Sequence, residues 1–179
     1  MQKIKSTLIK HFLISTLAIL IVQMAWAVEA LEHEIKATYL YNFAKFIDWP
    51  EGKLEKDPIY LCIMGKESLK SSLERLAMGK SIKNRPLHVR QLDSIDEIKS
   101  CHILFIGAAA SKNLPEILRK LRFEKVLCVG DTPDFIEQGG QIQFFVNENK
   151  VGFEVNLPAV KQAGLKIDAR VLNIAKVRR

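Results

Sequence analysis

Residues that do chemistry in clusters are scarce in this chain of 179 residues. It has only three cysteines and four histidines. Neither Cys-x-x-Cys nor His-Glu-x-x-His occurs, so the common redox-thiol and zinc patterns are missing. There is no Gly-x-Gly-x-x-Gly to seat a dinucleotide and no Gly-x-Ser-x-Gly nucleophile elbow. Gly65-Lys66 does not end a phosphate loop, because Tyr60 stands where that loop's first glycine belongs. His33, His88 and His102 fall on separate expected elements. Cys101 and His102 are neighbours on an expected strand, where adjacent side chains point to opposite faces and make a poor metal pair. Asp93, Asp96 and Glu97 cluster on a polar loop, which reads as a solvated acidic face. These absences argue against an enzyme. They leave no catalytic, metal-ligating or cofactor-binding residue to name.

Long apolar runs are also scarce, except at the start. Lys3, Lys5 and Lys10 precede the apolar stretch Phe12–Met24, and Ala25-Trp26-Ala27 follows as an Ala-x-Ala site. That is the layout of a secretory signal peptide over residues 1–27. Cleavage after Ala30 is the alternative cut. An uncleaved anchor is the competing reading, but the run falls short of the roughly 20 apolar residues a spanning helix needs. No cysteine follows the apolar run, which argues against a lipoprotein. No later segment is long enough to span a bilayer. The expectation is export, with residues 28–179 forming one domain of ordinary size. Removing the leader takes away three lysines and no acids, so the formal net charge falls from +7 to +4. Such a mild excess permits weak attraction to anionic lipid or polymer and does not imply nucleic-acid binding.

What is present is a periodic pattern. In Ile35–Pro50, apolar residues recur at Leu40, Phe43 and Ile47 and again at Tyr39, Phe43 and Phe46, the spacing of a helix with one core-facing side. Thr38, Asn42 and Lys45 repeat on the opposite side. The helix is predicted to stop near Trp49, the residue before Pro50. Pro58–Gly65, Cys101–Gly107 and Val126–Gly130 are short, nearly continuous apolar runs that suit buried strands. Leu87–Leu92 alternates as a strand with one polar face. Helices are expected over Lys66–Leu76 and Ala108–Arg122, a single turn at Ser94–Ser100, and a short helix over Pro133–Gln138. Gly79–Pro86 reads as a loop.

Gly139-Gly140 introduces a hairpin, Gln141–Val146 and Val151–Asn156, around the polar turn Asn147-Glu148-Asn149-Lys150. Leu157–Ala163 reads as a helix closed by Gly164. Asp168 is placed to cap a last helix carrying Val171, Leu172, Ile174 and Ala175. The fold expected is α/β, a single domain. Its mixed, mostly parallel sheet of six strands is flanked by helices and carries a C-terminal hairpin.

Two segments carry a family resemblance. The first is Lys36, Ala37, Tyr39, Leu40, Tyr41, Asn42, Phe43, Lys45, Phe46, Trp49 and Pro50. It resembles the opening Lys-Ala-x-Tyr-Leu-Tyr-Asn-Phe-x-Lys-Phe-x-x-Trp-Pro of the YfiR-like (HmsC-like) periplasmic proteins. The second is Gly139, Gly140, Ile142, Phe144, Phe153, Asn156, Ala159, Gly164, Leu165, Leu172 and Ala175. It is similar to that family's Gly-Gly-x-Ile-x-Phe hairpin and the segments after it. The resemblance implies a regulatory protein that binds the periplasmic sensor domain of an inner-membrane diguanylate cyclase and represses it. Cyclic-di-GMP signalling and biofilm formation would fall as a result. On that reading Thr38, Asn42 and Lys45, with Gly139, Gly140, Asn147 and Lys150 of the hairpin, are candidate contact residues. The other reading is a small-ligand module serving another envelope sensor or receptor. Asp131, just past a strand's C-terminal end, and Asn156 are its pocket candidates. Turn or cap roles are the plainer reading of both. A closed, aromatic-lined pocket would favour the ligand reading, and a flat exposed apolar patch the repressor.

Cys62, Cys101 and Cys128 each sit in or beside an expected buried strand. An exported chain permits disulfides. Cys62 and Cys101, at neighbouring core segments, are the favoured pair, and three inert buried thiols are the alternative. Relatives often carry a further cysteine pair around the Gly-Gly hairpin. This chain has no cysteine from Gly130 to Arg179, so redox control through that pair does not transfer. The sequence leaves a homodimer open.

Overall fold

The computed structural model describes residues 29–50, 58–65, 68–148 and 150–179. The expected signal peptide lies outside them. The described chain opens with helix α1 over residues 29–46. Of its expected apolar stripe, Leu40 and Phe43 are buried and Tyr39 and Phe46 half-buried, with Ala37 and Ala44 buried beside them. The helix stops three residues before Trp49. Ile47–Asp48 turns extended as strand β1 and pairs antiparallel with β9 (Lys166–Ile167). The Asp168 N–H donates to the Phe46 carbonyl at 3.0 Å, so a partner from the far end of the chain satisfies the helix terminus.

A sheet of eight strands lies beneath, in the order β10-β8-β7-β6-β5-β2-β4-β3. Its centre is β2 (Ile59–Met64), β5 (Ile103–Ile106) and β6 (Leu127–Gly130), all parallel. β4 (Arg85–Gln91) is parallel to β2, and β7 (Ile142–Asn147) is parallel to β6. β8 (Lys150–Asn156) closes the hairpin on β7. These six match the expected strands. The extra two are the edges. β3 (Ser81–Ile82) lies antiparallel to β4, inside the segment read as a loop, and β10 (Lys176–Arg178) lies parallel to β8.

Successive residues of the central strands point to opposite faces, so the sheet separates two cores. Leu61, Ile63, Ile103, Phe105, Leu127 and Val129 face α1 and α2 (Ser68–Ala77). Cys62, Met64, Leu104, Ile106 and Cys128 face α3 (Leu114–Leu121), joined there by Ile117, Leu121 and Phe135. The first core is rich in rings: Tyr39 and Phe43 of α1 meet Phe144 and Phe153 of the hairpin at centroid distances of 5.0–6.1 Å. Both cores share one sheet, and the domain is single.

Three expected helices come out differently. Residues 108–122 divide into a 3-10 segment, Ala108–Asn113, and then α3, with Pro115 in the first turn. The segment 133–138 is a turn, because Asp134 at φ +58° leaves the right-handed helical region. The last helix, α5 (Ala169–Leu172), has only four residues. Asp168 caps it as expected, but Ile174 is exposed and the chain leaves to form β10. α4 (Leu157–Gln162) ends as read, with Gly164 left-handed at φ +74°.

The Gly-Gly pair divides its work. Gly139 holds φ +101°, which favours glycine. Gly140 is buried with an ordinary φ, and a Cβ there would run into the ring of Phe135. Gly130 flanks the same ring, where a Cβ would lie 2.5 Å from it.

Candidate functional site

Cys62 and Cys101 form a disulfide, with Cα atoms 5.9 Å apart. It ties β2 to the residue that leads into β5 and closes a separation of 39 residues. Cys128 is free and buried, and burial pushes its thiol well above the ordinary range. A thiol so protonated is a small apolar filler and a poor nucleophile.

Asp131 forms an ion pair just past the C-terminal end of β6. Its Oδ2 accepts from Lys36 Nζ of α1 at 2.8 Å. The same ammonium lies 2.6 Å from Glu32 Oε1. Lys36 is only 5% exposed. Burial alone pulls its ammonium down, but the hydrogen bonds and charges of Asp131 and Glu32 outweigh this and hold it above its ordinary value. Asp131 Oδ1 and the Thr132 hydroxyl oxygen are buried and find no partner among the described residues. The clamp fixes the N-terminal half of α1 over the C-terminal end of β6. A readable signal existed for Lys36: it sits seven residues before Phe43 and four before Leu40, a cation on the apolar stripe.

Asn156 is a helix cap: its side-chain oxygen accepts from the Ala159 N–H at 3.2 Å. It also borders an open groove of about 800 Å³. Leu118 and Arg119 of α3, Arg122 just after it, Cys128, Gly139 and Gln162 also line it, and no aromatic ring does. The groove brings Gly139 and Asn156 together and leaves Asp131 outside.

His102 is fully buried. Its Nδ1 accepts from the Tyr60 N–H at 3.2 Å, and its carbonyl accepts from Trp49 Nε1 at 3.2 Å. The Trp49 and imidazole rings meet edge-on at 5.4 Å. This histidine joins the end of the α1 segment to the N-terminal edge of the sheet.

The contact candidates lie on two surfaces. On α1, Thr38 and Lys45 are exposed and Asn42 is half-buried. Thr38 Oγ1 donates back to the Glu34 carbonyl, while Lys45 Nζ lies over the rings of Tyr41 and Phe46. On the hairpin, Asn147 and Lys150 pair at the tip and both are exposed. Phe145 and Val146 beside them are large exposed apolar residues. Gly139 is exposed, whereas the buried Gly140 serves packing within the fold.

No helix among the described residues is long and apolar enough to cross a membrane. Two solved structures share the architecture. One is an ABC domain in complex with L-Trp from Streptococcus pneumonia, with a TM-score of 0.51 and 10% identity. The other is a conserved domain protein from Vibrio cholerae, with a TM-score of 0.51 and 12% identity. They cover 77% and 71% of this chain, which spans 58% and 57% of theirs. At such identities the likeness is one of fold alone. The YfiR/HmsC-like family model matches residues 33–176, from early in α1 to the first residue of β10. By that match the chain belongs to the YfiR/HmsC-like family.

Proposed function

We propose that the protein is a periplasmic repressor that binds the outward-facing sensor domain of an inner-membrane diguanylate cyclase and holds it inactive. The observation that carries this reading is the family match along residues 33–176. The repressor would act by differential affinity, binding the inactive conformation of the cyclase better than the active one. Moving the cyclase from almost wholly active to almost wholly inactive needs a preference on the order of 10⁴-fold, about 5.5 kcal/mol. The surfaces to supply it are the outer face of α1 (Thr38, Asn42, Lys45) and the hairpin with Asn147 and Lys150. The exposed Phe145 and Val146 give the hairpin apolar area to bury. Gly139 shapes the approach to the hairpin, and Gly140 acts from inside.

The deciding experiment is cellular cyclic-di-GMP with and without this gene. A rise on deletion, abolished by removing one membrane cyclase, identifies both the role and the partner. No change, under normal and reducing envelope conditions alike, rules the repressor out. The open groove of about 800 Å³ supports the second reading, a small-ligand module serving another envelope sensor or receptor. Of its two candidate residues, Asn156 borders that groove, and Asp131 lies outside it, paired with Lys36. The groove also lacks the aromatic lining expected of such a pocket.

A further inference from the structure

Three cations and two aromatic rings alternate across the surface at the C-terminal half of α1. Lys80 Nζ lies 5.0 Å from the Tyr41 ring centroid. Lys45 Nζ lies 5.5 Å from the same ring and 5.4 Å from that of Phe46. The Arg170 guanidinium follows, 4.4 Å from the Phe46 ring. The row draws on three separate segments: the turn after α2, α1 itself and the first turn of α5. Arg170 is neutralised by Asp168, which takes two of its N–H groups at 2.9 and 2.6 Å. No acid pairs with Lys45 or Lys80 among the described residues, although both approach one ring. Two residues before Lys80 in the chain, Met78 stands 78% exposed, a large apolar side chain.

We infer that this face docks on an anionic bilayer surface, with the Lys45 and Lys80 ammoniums taking phosphate oxygens of lipid headgroups. The chemistry fits the occupant in three ways. Uncompensated lysines are drawn to anionic lipid, each adding about one kilocalorie per mole of attraction. Half-buried Tyr41 and Phe46 offer ring faces of the kind that settle at headgroup depth. Met78 supplies apolar area to enter just below. A protein acting on an inner-membrane partner would be concentrated at that surface, but the docking does not require the cyclase reading.

The test is co-sedimentation of the purified full chain with vesicles. Phosphatidylglycerol mixed into phosphatidylcholine is compared with phosphatidylcholine alone, at low and physiological salt. The protein is expected on the anionic vesicles only, and salt should release it. Lys45→Glu/Lys80→Glu should weaken binding at least about twentyfold, from roughly fivefold per ammonium removed. Lys112→Glu/Lys120→Glu makes the same change in net charge on the α3 side of the sheet, opposite α1, and should keep most of the binding. Both variants share the same N-terminus, so any difference between them belongs to this face. Circular dichroism checks that each stays folded. If a variant unfolds, Lys45→Gln/Lys80→Gln replaces it, with a smaller expected loss. No binding to anionic vesicles at low salt overturns the inference. Equal loss in both double variants overturns it too, since net charge alone would then explain binding. Release by inorganic phosphate beyond that by chloride at equal ionic strength assigns the row to a free anion instead. Capture of an acidic protein segment by the row, without vesicle binding, reassigns it to a protein partner.

Discussion

At the scale of single residues, the informative group is Lys36. A lysine 5% exposed on an apolar helix face is tolerated because two carboxylates meet it, at 2.6 and 2.8 Å. Removing the cation as Lys36→Met leaves Asp131, already carrying one unpartnered buried oxygen, without its ammonium. Breaking a fully buried pair costs about 3–5 kcal/mol. Both carboxylates here are partly exposed, so a loss near the lower end, about 3 kcal/mol, is expected in urea denaturation. Lys36→Met/Asp131→Asn should recover part of it, because the unpaired charge is then gone. The pH dependence has a definite sign. The folded ammonium is held above its ordinary value, so its contribution is complete below the unfolded value, about pH 10.4. It is lost as pH rises through the higher, folded value. The difference in stability between wild type and Lys36→Met should therefore be flat from neutral pH to about pH 10 and shrink above it. A difference that instead changes near pH 6 would assign the effect to another group.

At the scale of elements, the disulfide is the strongest local tie. A loop of 39 residues closed in the unfolded chain corresponds to about 3–4 kcal/mol of restricted chain entropy. Reducing the wild type should lower its urea midpoint by the equivalent amount. Cys62→Ala/Cys101→Ala should show the lower midpoint from the outset and be indifferent to reductant. A midpoint that does not move on reduction would mean that β2 and β5 are fixed wholly by their ladder. The elements also show what the sequence could tell. β2, β5 and β6 were legible because strands buried on both faces read as unbroken apolar runs. The hairpin was legible from its polar tip and alternating flanks. β3, β10 and the β1–β9 pair were not, because two or three residues carry no period. Of the surface, Lys45 was legible as the outer side of a helix whose inner side was plain. Lys80 and Arg170, its companions in the cation row, were not, since they reach Tyr41 and Phe46 from distant segments. The Lys36–Asp131 pair hid for the same reason: 95 residues separate its members, and local pattern says nothing about such contacts.

At the scale of the whole molecule, the question is whether two cores make one unit. Each central strand lends alternate side chains to both: Leu61 and Ile63 to one, Cys62 and Met64 to the other. Neither core can be lost without undoing the shared ladder, so the domain should unfold in one step. The chain supplies a convenient probe. Outside the expected leader it has one tryptophan, Trp49, which packs edge-on against buried His102 and donates to the His102 carbonyl. Its fluorescence reports the junction of the α1 segment with the N-terminal edge of the sheet. Far-ultraviolet circular dichroism reports all helices, including α3 on the opposite face. With the disulfide intact, the two urea transitions should coincide within error. If fluorescence changed first, the α1 layer would leave while α3 and the sheet persisted. A repressor that uses the outer face of α1 and the hairpin needs those two surfaces held in fixed relation. They are joined through the ring contacts of Tyr39 and Phe43 with Phe144 and Phe153. Coincident transitions would mean that the rings couple α1 to the sheet strongly enough for a partner to meet both surfaces as one rigid unit.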